Sequence, residues 1–389
     1  LTLTPRKLVA GGAALATAAD GRVVFVAGAL PGETVRARVM ASSRDFLRAR
    51  VDAIESASDD RVAPPCPEVA RGCGGCDWMH IAPAAQLAFK AAIVADALAR
   101  TAGISHVPVT PGARVAPSAY RTTLRLALDR TGRPAFRGAG SHRLVTVSAC
   151  QVAHPALSAL LPALAIVGAR EVQLRVSAAT GARSARWWPP EAHASGLPDD
   201  VSRGPDSVLT EVVNGVALRV SADAFFQSGP EAAALLSQAV ARAAGPASTW
   251  PDGPVIDAYG GVGLLAATVV PPDRSVIVIE ENPAAAADAV HNLAYRPAEV
   301  AVVPVEAWRP RPAGLVVADP ARAGLGQDAA AVLAACRAAT LVLVSCDPVA
   351  LARDARLLAG HGYRLASCEV LDLFPQTHHV EVVSRFERV

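Results

Sequence analysis

From about Pro230 onward the chain alternates short apolar runs with helical segments, and no other feature constrains the fold as strongly. A helix is predicted over Glu231–Ala244. The runs Val255-Ile256, Ser275–Ile279, Gly314–Ala318 and Thr340–Ser345 follow it, with helical segments between them. This is the βαβ grammar of an open, largely parallel sheet in an α/β fold. Such sheets bind ligands beyond the carboxyl ends of their strands, and three motifs fall there. Asp257-Ala258-Tyr259-Gly260-Gly261-Val262-Gly263 follows a strand and opens a helix. Asp319-Pro320-Ala321-Arg322-Ala323-Gly324 ends the strand Leu315–Ala318. Ser345-Cys346-Asp347-Pro348 ends the strand Leu341–Val344. Together they make one predicted active-site rim. Glycines in the first motif allow close backbone approach to a ligand. Glu280, at the end of the next strand, can accept hydrogen bonds from ribose hydroxyls. Turn and acid point to a nucleoside cofactor, and by themselves they also fit NAD.

The remaining chain has a different pattern. Residues 1–60 carry strand-like runs at Val23–Ala27, Thr34–Met40 and Leu47–Ile54, broken by turns such as Leu30-Pro31-Gly32-Glu33. That is the grammar of a small β-barrel. Arg36, Arg38, Arg44, Arg48 and Arg50 cluster there, and they suit either an RNA backbone or a solvated edge. Ala84–Arg100 reads as an amphipathic helix, with Leu87, Ala91, Val94 and Leu98 at helical spacing. From about 109 to 220 the pattern alternates as in strands, with Arg183–Ser202 read as a loop. Leu8–Ala19 is too rich in Gly, Ala and Thr for a signal peptide and leads straight into a strand. No run is long and apolar enough for a membrane span.

The cysteines are seven: Cys66, Cys73, Cys76, Cys150, Cys336, Cys346 and Cys368. An odd count in a large chain does not resemble a secreted disulfide framework, which places the chain in the cytoplasm. The spacing of Cys66, Cys73 and Cys76 reads as a metal site. The net charge of +2 neither demands nor excludes nucleic acid, but Lys7 and Lys90 are the only lysines among 37 Lys and Arg residues. Arginine forks pair well with phosphate and stack on bases; an arginine-rich coding bias accounts for the same composition.

Taken in order, the segments Leu30–Glu33, Cys66…Cys73-Gly74-Gly75-Cys76…Cys150, Phe226-Gln227, Asp257–Gly263, Asp319–Gly324, Ser345–Pro348 and Phe374-Pro375-Gln376-Thr377-His378-His379-Val380-Glu381 resemble the RNA uracil-C5 methyltransferases, above all their iron–sulfur ribosomal-RNA members. The resemblance implies three domains. Residues 1–62 would form a TRAM-like, OB-like RNA-binding barrel. Residues 63–225 would form a mostly β central domain holding a [4Fe–4S] cluster, with the helical stretch 79–107 packed on the catalytic domain. Residues 226–389 would form a Rossmann-like methyltransferase domain.

The same resemblance assigns roles. Cys346 would be the nucleophile that attacks carbon 6 of uracil, and Glu381 the base that removes the proton at carbon 5. Gln227, Tyr259, Glu280 and Asp319 would bind S-adenosyl-L-methionine, with Glu306 a further contact. Cys66, Cys73, Cys76 and Cys150 would hold the cluster, although four thiolates suit zinc as well. Asp347 stands where family members often carry Asn, and its charge beside Cys346 would disfavour the thiolate unless an arginine pairs with it. His378 and His379 fit substrate contact or a structural role. Arg121 and Arg125 are candidate RNA-backbone contacts. The expected substrate is a 23S rRNA loop, read by shape and stacking with the uracil flipped out, and the expected state is a monomer. A transfer-RNA methyltransferase keeps the same chemistry. A non-catalytic RNA-binding protein leaves Cys346 and Glu381 without a purpose, and an NAD oxidoreductase leaves the cysteine set and the Pro375–Glu381 segment unexplained.

Overall fold

The computed structural model describes residues 1–389. Its C-terminal half is built on an eight-stranded sheet. The order across it is Ala298–Ala301, Val276–Ile279, Val255–Ala258, Leu315–Ala318, Thr340–Ser345, Glu381–Arg388, Tyr363–Asp372 and Val109–Arg114. The first five strands are mutually parallel, and Glu381–Arg388 runs antiparallel to both its neighbours. Every residue of the strands at 255, 276, 315 and 340 is buried. Strands covered on both faces must be apolar throughout, which is why these runs lack alternation. One face packs Val255, Val276, Val317 and Val342 under the helices Pro230–Ala244, Leu264–Thr268 and Pro283–Asn292. The opposite face packs Ile256, Ile277, Val316 and Leu343 under Gly326–Ala335 and Pro348–Gly360.

Strand order reverses between Val255–Ala258 and Leu315–Ala318, so the crevice for a ligand opens at the ends of these two. The edge strand Val109–Arg114 comes from the region expected to be central: it pairs in parallel with Tyr363–Asp372. The hairpin of Val208–Val213 and Val216–Ser221 also joins the C-terminal core through Val213, Leu218 and Val220. Buried Asp288 accepts hydrogen bonds there from the Ser221 amide (2.6 Å) and hydroxyl (2.8 Å). Neither connection follows from hydropathy, because both are made across long stretches of chain.

The helix Pro83–Ala97 is wedged between two units. Ala91, Val94 and Leu98 pack on the C-terminal sheet, whereas Ile93 joins the N-terminal core. That core belongs to a six-stranded sheet of residues 2–56, in the chain order 1-5-6-4-3-2. Lys7–Leu8 and Ala14–Thr17 are strands of it. Glu33 of the Leu30–Glu33 turn is fully buried. It accepts the Leu30 amide at 2.8 Å and pairs with Arg61, so the motif is a structural staple.

A second six-stranded sheet fills the middle of the chain, and it corrects one expectation. Arg183–Ser202 is not simply a loop: Arg183–Trp188 is a strand paired antiparallel with Glu171–Val176, and Val201 pairs with Arg183. Ala185 and Trp187 face the apolar core, and Arg186 and Trp188 face the other way. An arginine on each face, Arg183 and Arg186, and the flanking prolines disguise this alternation in the sequence.

Candidate active site

At the reversal point the first turn is shaped by close approach. A Cβ on Gly260 would lie 2.6 Å from the Val278 side chain, so glycine is required there. Tyr259 sits in the left-handed region at φ 59° and Gly263 opens the helix at φ 82°. A tyrosine held in that conformation marks strain kept by its surroundings, as is common at binding sites. Tyr259, Glu280 and Glu306 line a cavity of about 330 Å³ with Val305, Leu325 and Asp328. Both Glu280 oxygens anchor backbone: Oε2 accepts from Gly261 at 2.9 Å and Oε1 from Asn282 at 2.7 Å. The Glu280 carboxylate therefore shapes the glycine turn as well as the cavity wall. Gln227 and Asp319 lie outside that lining. Gln227 is buried in the loop before Pro230–Ala244, two residues after the exposed Phe225. Asp319 ends its strand beside Ala258, whose carbonyl accepts the Asp319 amide at 3.2 Å.

One residue missed in the sequence is Asp257. Its Oδ2 accepts the Ala266 amide at 2.9 Å, while Oδ1 is buried without a partner. Burial, helped by Asp319 and Glu280, pushes its carboxyl up to about 7. Three carboxyl groups thus crowd the ends of adjacent strands, a setting that favours a cation.

Cys346 and Glu381 meet through strand register. Ser345 pairs with Val382 in the antiparallel ladder. The ladder ends there, so Cys346 and Glu381 are the next residues at the ends of the two paired strands, and the Glu381 carboxyl acts on the Cys346 thiol. Cys346 is half-buried and Glu381 is buried. The Cys346 thiol is pushed up to about 11, first by burial and then by Glu381 and Asp319, with Arg322 pulling it down. Burial also drives Glu381 well above the usual carboxyl range, and Asp319 adds to this while Arg322 and Lys90 oppose it. Asp319 is itself raised to about 7 by burial. Cys346, Glu381, Asp319 and Arg322 therefore form one electrostatic unit.

Asp347 does not act as the sequence led us to expect. Its Oδ1 caps the helix Pro348–Gly360, accepting the Val349 and Ala350 amides at 2.9 and 2.8 Å. Its charge is engaged by the helix N-terminus rather than aimed at the thiol.

No family model matches the chain. It is 33% identical to an RNA methyltransferase of Streptomyces avermitilis, with 97% of this chain and 95% of that one covered. It is 30% identical to a 23S rRNA (uracil(1939)-C(5))-methyltransferase of Pseudomonas putida, over 95% of this chain and 89% of that one. Among solved structures, the fold matches a Pyrococcus abyssi tRNA (uracil-54, C5)-methyltransferase in complex with S-adenosyl-L-homocysteine. The TM-score is 0.76 at 20% identity, over 99% of this chain and 100% of that one. The chain belongs to the RNA uracil-C5 methyltransferase family. It is an S-adenosylmethionine-dependent enzyme.

The methyltransferase brings its four spaced cysteines together in a separate cavity. Cys66, Cys73, Cys76 and Cys150 all line one small cavity, with Arg121 among them. No three His, Cys, Asp or Glu side chains form a group fit for a single metal ion. Burial and mutual repulsion push the Cys76 thiol up to about 12, and Arg121 counters them. The enzyme therefore turns Arg121 toward the cysteines. It holds Arg125 to Glu171 at 2.6 Å and over the Trp188 ring. Arg36, Arg38, Arg44, Arg48 and Arg50 are all exposed on the N-terminal sheet. His378 is taken up by Asp77 at 2.7 Å, and Arg322 lies 3.3 Å from His379. No helix of the methyltransferase is long and apolar enough to cross a membrane.

Proposed function

We propose that this enzyme makes 5-methyluridine in 23S ribosomal RNA through a covalent bond between Cys346 and carbon 6 of the target uracil. The observation that carries the reading is that Cys346 and Glu381 sit at the adjoining ends of two paired strands, with the Glu381 carboxyl acting on the thiol, on the strand edge shared with the Tyr259–Glu280 cavity. The choice of ribosomal RNA rests on the 30% identity to the Pseudomonas putida enzyme over nearly the full chain.

Carbon 5 of uracil is a weak nucleophile toward a methyl sulfonium. The Cys346 thiolate adds to carbon 6, and the ring electrons move to the carbonyl as an enolate. The enolate places electron density on carbon 5, which takes the methyl group from the sulfonium. Glu381 then removes the proton from carbon 5, and the carbon–sulfur bond breaks to release the product and the thiolate. The step is divided as nucleophilic catalysis divides any hard displacement. A carboxylate whose pKa is raised is a stronger base once ionised, which suits Glu381 to this transfer. Gln227, Tyr259, Glu280 and Asp319 hold the methyl donor, and the buried carboxyls at 257 and 319 favour its cationic sulfur. Arg322 supplies the positive charge that the thiolate needs.

Cys66, Cys73, Cys76 and Cys150 would hold a [4Fe–4S] cluster. Four cysteines from distant segments line one cavity, a donor set that fits a cluster or zinc, and the family resemblance favours the cluster. When bound, it supplies cross-linking of distant chain segments and no step of methyl transfer. Anaerobically purified protein is expected to show the broad visible absorption of an iron–sulfur cluster; a colourless protein with stoichiometric zinc would overturn this assignment.

Residues 1–62 serve as the TRAM-like RNA-binding unit, residues 63–225 carry the cluster, and residues 226–389 carry the chemistry, in a cytoplasmic monomer. The test is transfer of labelled methyl groups to purified ribosomal and transfer RNA, with 5-methyluridine mapped afterwards. Label confined to 23S rRNA is the expected result. Label confined to transfer RNA would refute the substrate, and label outside carbon 5 would refute the chemistry.

A further inference from the structure

The turn that delivers Glu381 to its strand is held by side chains that the mechanism above does not use. Gln86 and Lys90, one helical turn apart on Pro83–Ala97, are both fully buried. Burying an amide and an ammonium is costly unless every donor finds a partner. Gln86 Oε1 accepts the Gln376 amide at 2.7 Å, and its Nε2 donates to the Ile81 carbonyl at 2.9 Å and to Gln376 Oε1 at 3.1 Å. Lys90 Nζ donates to Asp372 Oδ1 at 2.6 Å and to the Phe374 carbonyl at 3.2 Å. It also lies 5.9 Å from the centroid of the Trp78 ring, a cation–π contact. The Trp78 amide donates to the Gln376 carbonyl at 3.0 Å, and the Tyr120 hydroxyl to that of Pro375 at 3.2 Å.

These contacts converge on a strained point. Gln376 has φ 69°, a left-handed conformation that a residue with a side chain keeps only when its surroundings over-determine it. The helix holding it lies nearly three hundred residues earlier in the chain. The second observation is chemical. This chain uses arginine almost everywhere, yet the buried cation here is one of its two lysines. An ammonium is a compact point charge with three donors, and it fits a closed site where a guanidinium fork does not.

We propose that Lys90 is a positioning residue for methyl transfer: it fixes the Phe374–Glu381 turn and supplies the buried positive charge that faces Glu381. This rests on Glu381 acting as the base. The groups facing Glu381 are Cys346 and Asp319, which carry or gain negative charge, and Arg322 and Lys90, which carry positive charge. Around Lys90 itself stand Asp372, Asp77 and Glu381. Lys90 favours the ionised carboxylate, so its removal leaves Glu381 protonated up to a higher pH.

Lys90→Met alone strands the Asp372 carboxylate in the interior and can unfold the protein. The double variant Lys90→Met/Asp372→Leu removes both charges and keeps the volume filled, which is commonly neutral for stability. Asp372→Asn, which keeps Lys90 and the shape of the site, measures separately what loss of the Asp372 charge does to the profile. The readouts are kcat against pH at saturating RNA, the KM for RNA, the affinity for S-adenosylmethionine by calorimetry, and the thermal midpoint. In the folded double variant we expect unchanged donor affinity and RNA KM. At neutral pH kcat falls roughly tenfold, and the acid limb of its profile moves up by about one pH unit, the equivalent of that tenfold change. A folded double variant with the wild-type profile overturns the proposal, and so does a lower kcat whose acid limb stays in place. The wild-type control separates the two layers. If it methylates no uridine, the reading of the site fails and takes this role with it. If it is active and the double variant matches it, only the role of Lys90 fails.

Discussion

Cys346 is expected to be a sluggish thiol in the free enzyme, and its reactivity can be worked out from its surroundings. Burial and the Glu381 and Asp319 carboxyls raise it to about 11. At pH 7.5 such a group is ionised in about one molecule in 3,000, against about one in ten for an ordinary cysteine near 8.5. The more basic thiolate is intrinsically the better nucleophile, and a Brønsted slope of about 0.4–0.5 returns roughly a factor of ten. The net expectation is alkylation about 20- to 30-fold slower than that of a free thiol, rising about tenfold per pH unit up to about pH 11. The assay is iodoacetamide labelling over a pH series, with the Cys346 peptide resolved by mass spectrometry from those of the other six cysteines. Arg322→Met should slow labelling further, since Arg322 is the cation that pulls the thiol down. Glu381→Gln should quicken it by removing a carboxylate that pushes it up. Labelling at the free-thiol rate with a midpoint below pH 8 would refute the account, because the carboxyl cluster would then not be acting on the sulfur.

Three further outcomes follow from the same geometry. Cys346→Ala should abolish methyl transfer while S-adenosylmethionine still binds by calorimetry; retained turnover would end the covalent mechanism. Glu381→Gln should stop the reaction after methyl transfer, so that a protein–RNA adduct accumulates on a denaturing gel; no adduct beside an active wild type would count against Glu381 as the base. Asp347→Ala should remove the cap of the helix Pro348–Gly360 at a cost of about 1 kcal/mol. That is a fall of roughly 2–4 °C in the thermal midpoint of the unit that unfolds with it, and an unchanged midpoint would show that the cap carries no stability.

Much of the site was legible because its parts are local. Gly260 and Gly263 announce a turn between a strand and a helix. The strand Thr340–Ser345 appears at the residues that its apolar run marks out, because a strand buried on both faces must be apolar at every position. The strand Arg183–Trp188 was illegible for the opposite reason: its arginines and tryptophans are half-buried on both faces and look like loop in the sequence. The role of Asp347 also escaped the sequence, since the direction of a carboxylate depends on which amides the next turn presents.

Spacing and hydropathy within short windows were enough to read the parallel strands, the three strand-end motifs on one rim and the set of cysteines. Packing of distant segments settled that Cys346 and Glu381 sit at the adjoining ends of two paired strands, that Arg121 lines the cysteine cavity, and that Val109–Arg114 completes a sheet begun at Val255. It also decided that Gln86 and Lys90 hold the turn at Gln376. The physical reason is that these are contacts between segments far apart in the chain. Register, burial and the field of neighbouring charges exist only once those segments are packed, and no local pattern of residues encodes which partner each will meet.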